Sequence, residues 1–322
     1  MPNSRFLSTS SAEAIPIAAE RLKAGHLVAF PTETVYGLGG DATNQNAVRR
    51  IYEVKGRPAN HPLIVHISSI NSLSIWAKEI PEYALELAGA FWPGPMTLIL
   101  KRNNIAKDFI TGGQEFVGIR VPSNRIALDL LTQFESIGGL GIAAPSANRF
   151  GQVSPTSSKH VQDEIGGHLS DDDIILEGGQ SQIGIESTIV DCRNIAPSIL
   201  RPGAITRTML NSKAKTNFLS TPALDLRVSG VLDKHYAPNA RVVINKPPKS
   251  GQAFMALSDI ETPAGVYRIC SPRNIDEFAR EMYGAMRRAD ELGFKELFIE
   301  VPVGHGIEVA LFDRLQKAAN GR

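Results

Sequence analysis

The sequence predicts an α/β protein: a twisted open sheet domain followed by a smaller Rossmann-like α/β unit. Three observations carry this. Short apolar runs of strand length end in polar, Gly-containing elbows, as at 27–30 and 141–144. Amphipathic helical segments alternate with those runs. A polar stretch with little apolar periodicity, 211–240, separates two such patterns. The expected division is therefore 1–210, a linker at 211–240, and 241–322.

Residues 13–24 read as the first helix, with Ser11 as cap, Gly25 as stop and Ile15, Ala18, Ala19 and Leu22 at near-helical spacing. The run 27–30 is the first strand. It enters an elbow at Pro31 that carries Thr32, Glu33, Thr34 and Tyr36, then Gly37, Gly39 and Gly40. Residues 44–54 form the second helix, capped by Thr43 or Asn44 and ended by Gly56 and Pro58. Lys55 falls in its last turn, where the helix dipole favours a cation without any ligand. Another strand, 63–67, follows Lys55 and Arg57. Two strand ends thus bracket hydroxyls and cations, and open α/β sheets hold ligands outside such ends.

Residues 81–91 read as a helix, 96–100 as a buried strand, and 117–121 as a strand with Arg120 inside it. A buried arginine needs an internal carboxylate or a ligand phosphate, and the ligand is the preferred reading. A helix at 123–134 precedes the strand 141–144, which opens into a second elbow, Pro145-Ser-Ala-Asn-Arg-Phe-Gly, and Ser154-Pro-Thr. Turn formation alone could account for that elbow. Strands at 174–176, 187–190 and 198–200 end in Glu186-Ser-Thr and Arg201-Pro-Gly. The run Asp171, Asp172, Asp173 reads as a solvated turn. Beyond 241, strands at 242–244, 265–269 and 297–301 alternate with helices at 275–292 and 309–319, which predicts a small parallel sheet. It has no GxGxxG, so no dinucleotide is expected there.

Composition bounds the function. The chain of 322 residues is 43% hydrophobic and 21% charged, values of an ordinary globular protein. A net charge of +1 supplies no whole-protein field for gripping a nucleic-acid backbone. Cys192 and Cys270 fit no metal spacing and read as buried thiols of a reducing compartment. Neither a signal peptide nor a membrane-length apolar run is recognisable, so a soluble cytoplasmic protein is expected.

Walker A, GxSxG, HExxH and kinase motifs are absent, and the seven histidines show no metal pairing. What remains is a set of hydroxyls, amides and cations near strand ends: Thr34, Lys55, Arg57, Asn60, Thr97, Arg120, Ser146, Asn148, Ser154, Ser187 and Arg201. Arginine and lysine suit a polyphosphate, and hydroxyls and amides suit a small zwitterion. His66 is by default a strand histidine satisfied by a neighbour. Without a nucleophile beside a base, catalysis by positioning and charge stabilisation fits best, as in phosphoryl or nucleotidyl transfer.

Nine blocks occur in order: Phe30-Pro-Thr-Glu-Thr-Val-Tyr-Gly-Leu, Lys55-Gly-Arg-Pro, Leu63-Ile-Val-His-Ile, Trp92-Pro-Gly-Pro-Met-Thr-Leu, Arg120-Val-Pro, Ala144-Pro-Ser-Ala-Asn, Ser154-Pro-Thr, Glu186-Ser-Thr-Ile-Val-Asp and Leu200-Arg-Pro-Gly. Together they resemble the YrdC-like domain of threonylcarbamoyl-AMP synthases. His235-Tyr-Ala-Pro is similar to the linker motif of the long, two-domain form. Met286-Arg-Arg-Ala-Asp-Glu-Leu-Gly and Asp313-Arg-Leu are similar to its second domain. Val231, where the linker usually has methionine, and a compact C-terminal unit are departures.

The resemblance implies that L-threonine, bicarbonate or CO2 and ATP give threonylcarbamoyl-AMP and pyrophosphate. A downstream transferase would then use the product for threonylcarbamoyladenosine beside the tRNA anticodon. It implies Lys55 and Arg57 as catalytic residues. Lys55, Arg57, Asn60, Ser146, Asn148, Ser154, Arg201 and Tyr236 would hold ATP. Thr34, His66, Thr97, Arg120 and Ser187 would hold L-threonine. Mg2+ would come mainly through the ATP phosphates, with no protein ligands assigned. The Tyr236 linker would act as a lid. The competing readings are a tRNA- or double-stranded-RNA-binding module without turnover, and a paralogue that hydrolyses ATP without threonine. The near-zero charge disfavours direct tRNA binding.

Overall fold

The computed structural model describes residues 6–214, 218–219, 227–228, 230 and 235–321. The first unit contains β1 (Phe6–Ser8), β2 (Val28–Phe30), β3 (Gly37–Asp41), β4 (Ile64–His66), β5 (Met96–Lys101), β6 (Phe116–Arg120), β7 (Ile142–Ala143), β8 (Ile174–Glu177), β9 (Thr188–Asp191) and β10 (Ser198–Arg201). They make one open sheet in the order β1-β8-β2-β3-β7-β4-β6-β5-β9-β10. The sheet is mixed. For example, β4 runs parallel to β6, and β3 antiparallel to β2 and β7. Its helices are α1 (Ala14–Lys23), α2 (Gln45–Lys55), α3 (Leu73–Trp76), α4 (Glu82–Phe91), α5 (Asp108–Thr111), α6 (Arg125–Ser136), α7 (Ser158–Ile165) and α8 (Arg207–Lys213).

The second unit has β11 (Arg241–Ile244), β12 (Ala253–Met255), β13 (Tyr267–Cys270) and β14 (Glu296–Ile299), with α9 (Ile275–Glu291) and α10 (Glu308–Ala319). The strand order is β11-β14-β12-β13, and every pairing is parallel. The α/β alternation of the sequence thus becomes the expected small parallel sheet.

Several local expectations change. Asn44, not Thr43, caps α2, accepting from the Asn46 and Ala47 amides at 3.0 and 3.3 Å. Glu13, not Ser11, precedes α1, and it makes no capping side-chain bond. Gly37, Gly39 and Gly40 are not an elbow but the strand β3. A Cβ on Gly39 would lie 2.8 Å from both Ile142 and Phe30, so this strand needs glycine for close packing. Asp173 is not solvated. It is fully buried, pairs with Arg50 at 2.7 Å, and accepts from the Leu27 and Ser170 amides at 2.8 and 2.7 Å. Helix α8 runs into the expected linker, and Cys270 is only half-buried. The rest of the linker, Val231 included, lies largely outside the described residues.

The two units share a core. Val35, Val153 and Ile185 of the first unit pack into the cluster built by Met282, Tyr283, Met286 and Leu311 of the second. At Gly184 (φ +84°) the chain comes so near α9 that a Cβ would be 2.4 Å from the Arg280 Cα. Polar contacts flank this seam. Arg287 reaches Glu164 at 3.0 Å, and Asp290 accepts from the Asn239 and Ala240 amides at 2.7 Å each.

Candidate active site

The two elbows predicted from sequence lie against one another. The Leu38 amide donates to the Pro145 carbonyl and the Ala147 amide to the Tyr36 carbonyl, each at 2.8 Å. This pairing sets one wall of a cavity with about 650 Å³ of atom-free space. The wall includes Thr34, Lys55, Arg57, His66, Arg120, Ser146, Asn148, Ser187, Arg201 and Tyr236. Three expected residues are not on it. Asn60 is exposed on the turn after α2. Thr97 is buried behind the wall, its hydroxyl 2.8 Å from that of Ser187. Ser154 is buried and donates to Glu186 at 2.6 Å. Thr97 and Ser154 thus touch lining residues, Ser187 and Glu186 respectively.

Cations dominate the cavity wall. The Lys55 ammonium donates to the Ser146 and Asn148 carbonyls at 2.6 Å each. Burial, and then the nearby Arg57 charge, hold its pKa well below the ordinary value. Burial lowers Arg57 to about 10, and it lowers Arg201 as well. Arg57 lies 5.7 Å from the centre of the Phe150 ring, within cation–π reach. Arg201 donates to the Ser187 carbonyl at 2.9 and 3.1 Å and to its hydroxyl at 3.1 Å.

Arg120 has found the internal carboxylate that the sequence left as the less favoured alternative. It bonds Glu33 at 2.6 Å and Thr34 at 3.0 Å, and all three side chains are buried. Its Nε has no hydrogen-bond partner among the described residues. The same holds for Asn148 Oδ1, His235 Nδ1 and the Tyr236 hydroxyl. Orphaned buried polar atoms are rare, and this group shares one cavity. Burial lowers His66 and His235 to about 3, so both rings are neutral near pH 7.

Sequence reasoning did not put Thr32, Tyr36, Phe150, Glu186 or His235 among the site residues, yet all line the cavity. Phe150, His235, Tyr236 and Tyr283 form a run of ring contacts with centroids 6.2, 4.0 and 5.7 Å apart. The signal was present for two of these residues, since Phe150 closes the second elbow and His235 opens the linker motif. Glu186 opens a polar cluster and a motif block, but its role was hidden because its partners Tyr283 and Arg314 lie in α9 and α10.

Part of the linker borders this cavity. Gly230, His235 and Tyr236 line it, while Gln114 holds the Arg227 backbone at a separate hollow through both amide and carbonyl, at 2.9 and 3.0 Å. Lys317 donates to the Gly230 carbonyl at 2.8 Å, and a Cβ on Gly230 would lie 2.3 Å from the Tyr236 hydroxyl. Among the described residues, no three His, Cys, Asp or Glu side chains converge as a metal site. Likewise, no helix there is long and apolar enough to cross a membrane.

Fold and site define a two-unit α/β protein whose first unit, together with the linker, carries a cation-lined pocket. Residues 20–203 match the Sua5–YciO–YrdC family, described as "Telomere recombination", and residues 204–320 match "Threonylcarbamoyl-AMP synthase, C-terminal domain". The chain belongs to the threonylcarbamoyl-AMP synthase family, in its two-domain form. It is 38% identical to the threonylcarbamoyl-AMP synthase of Pyrococcus abyssi (strain GE5 / Orsay), over 96% of this chain and 94% of the relative. Identity to the enzyme of that name from Bacillus subtilis (strain 168) is 37%, over 98% and 95%. The solved structure of P. abyssi Sua5 complexed with L-threonine superposes with a TM-score of 0.87 at 35% identity, covering 98% of this chain and 97% of that one. Escherichia coli YciO, at 23% identity and a TM-score of 0.51, shares the fold over 61% of this chain.

Proposed function

We propose that this chain makes L-threonylcarbamoyl-AMP from L-threonine, bicarbonate or CO2 and ATP, releasing pyrophosphate, for the threonylcarbamoyladenosine of tRNA. The observation that carries this is the cavity in which Lys55, Arg57, Arg120 and Arg201 outnumber Glu186, the one lining carboxylate among the described residues. Such a wall is unfavourable when empty and favourable around a polyphosphate. The relatives' name supplies the reaction, and the threonine complex of the P. abyssi protein supports the amino acid.

In this reading the threonine amine loses a proton and its lone pair joins the carbon of CO2. A carbamate oxygen then attacks the α-phosphorus, and the bond to the β-phosphate oxygen breaks. Negative charge grows on the transferring phosphoryl group and on pyrophosphate. Lys55, Arg57 and Arg201 stabilise that charge. Ser146, Asn148 and Tyr236 hold the nucleotide, while Thr34, His66, Ser187 and Arg120 hold threonine. Thr97 supports Ser187, and Ser154 supports Glu186. Solvent exclusion protects the labile carbamate. Glu186 is already bound to Ser154, Tyr283 and Arg314. The donor set therefore fits phosphate oxygens rather than a cation, and Mg2+ enters with ATP.

Residues 1–210 form the catalytic domain in this reading, 211–240 the linker and 241–322 the C-terminal domain. The protein works in the cytoplasm and passes its product to a tRNA-modifying transferase. The test is incubation with ATP, Mg2+, bicarbonate and single amino acids, following pyrophosphate and trapped carbamoyl-adenylate. Threonine should stimulate both. Pyrophosphate no greater with threonine than in the blank would sink the reading. Salt-sensitive tRNA binding without turnover would favour the RNA-binding module instead.

A further inference from the structure

Glu186 presents a difficulty in a pocket meant for polyphosphate. Glu186 is among the lining residues, beside Ser187 and Arg201. An uncompensated anion there would repel phosphate and compete for Arg201, strongly so in a desolvated site. The compensating charge comes from the other unit. Arg314 of α10 is fully buried. Its Nε donates to Glu186 at 2.8 Å, and another nitrogen donates to the Pro202 carbonyl, next to Arg201, at 2.9 Å. Its guanidinium lies 5.5 Å from the centre of the Tyr236 ring. Asp313 also contacts it, and Asp313 in turn pairs with Lys317 at 2.8 Å. Tyr283 of α9 completes the shell, donating to the two carboxylate oxygens at 3.2 and 3.1 Å.

We propose that Arg314 is a positioning residue of the pocket, which neutralises Glu186 and holds the strand end at Pro202 so that an anionic substrate can lie beside Arg201. The identity of that anion as ATP rests on the function proposed above. The role of the second unit is then electrostatic as well as structural: it supplies the cation that makes the first unit's pocket acceptable to phosphate. Ser154, which bonds Glu186, is set by the same device.

The test is a charge cycle on the full-length protein: Arg314→Met, Glu186→Gln and the double variant, with Arg314→Lys as the conservative change. Binding of ATP and, separately, of inorganic tripolyphosphate is measured by equilibrium dialysis, with a thermal melt of each variant. Arg314→Met should weaken both ligands by at least about tenfold. The double variant should regain most of that loss, although it too lacks the arginine's packing. Rescue through Glu186→Gln is the readout that a merely structural role does not move. Arg314→Lys should fall between wild type and Arg314→Met. Equal binding by wild type and Arg314→Met overturns the proposal, as does a double variant as weak as Arg314→Met. Wild-type protein that binds tripolyphosphate but not ATP removes the nucleotide reading alone, and the cycle then decides Arg314 with the inorganic probe. If wild type binds neither ligand, both readings fail.

Discussion

Replacing Gly184 with alanine tests the close seam between the two units. Gly184 has φ +84°, and a Cβ there would sit 2.4 Å from the Arg280 Cα and 2.6 Å from the Ala279 carbonyl oxygen. Both atoms are backbone of α9, so no rotamer change relieves the contact. The left-handed conformation costs a non-glycine residue about 1–2 kcal/mol. Overpacking adds about 1–3 kcal/mol. The expected total is about 2–5 kcal/mol. Gly179 is a control in the same loop. Its φ is +72°, but a Cβ would meet no heavy atom within 4 Å. Gly179→Ala should therefore cost only the conformational part, about 1–2 kcal/mol. Urea unfolding followed by circular dichroism gives both values. Equal losses in the two variants, within about 0.5 kcal/mol, would refute the packing argument.

Other outcomes follow from the site. Arg57→Ala should cost about 2.7–4 kcal/mol of transition-state stabilisation in threonine-dependent pyrophosphate release, and an unchanged rate removes Arg57 from the reaction. Burial alone would raise the Glu186 carboxyl, but Arg314, Arg201 and Ser154 bring it down from the ordinary 4.5 to about 2. Its contribution, about 3 kcal/mol, is present above pH ~4.5 and is lost as pH falls towards ~2. Acid unfolding of Glu186→Gln should accordingly be less steep there, and identical slopes exclude the effect. Lys55 is depressed by burial and by Arg57, and bound phosphate should raise it again. Calorimetry at pH 9 in buffers of different ionisation enthalpy should show net proton uptake on ATP binding, whereas net release contradicts it. Limited proteolysis within residues 211–240 should slow when ATP and threonine are both present. Equal cleavage with and without them rules out a lid.

Most strands and helices were legible because their apolar periodicity is local. Helix α2 shows this well, with its Asn44 cap and its Gly56 stop in the left-handed conformation. Strand β3 was hidden because Gly37, Gly39 and Gly40 look like a turn, while their meaning is set by Phe30 and Ile142 on neighbouring strands and Ile51 on α2. Strand β12 is three residues without alternation, placed by its neighbours β13 and β14. In the site, Ser146 and Asn148 could be read because their elbow follows a strand, and Lys55 and Arg57 because they close a helix just before the next strand. Asp173 looked solvated because Arg50, its partner, is 123 positions away. Glu33 and Arg120 are 87 positions apart, so chemistry alone could not choose between an internal carboxylate and a ligand.

The distance between Glu186 and Arg314 along the chain, 128 positions, is also an interval of time. At synthesis rates of about 5–20 residues per second, roughly 6–26 s separate the making of the two. A growing chain can fold its first unit within that interval. Its Val35, Val153 and Ile185 would then lie bare, and its pocket would hold a carboxylate without its counterion. Arrival of α10 covers the first and balances the second in one docking event. Competence for an anionic substrate would thus appear late and all at once, making ligand occupancy a report on whether the second unit has been made and seated.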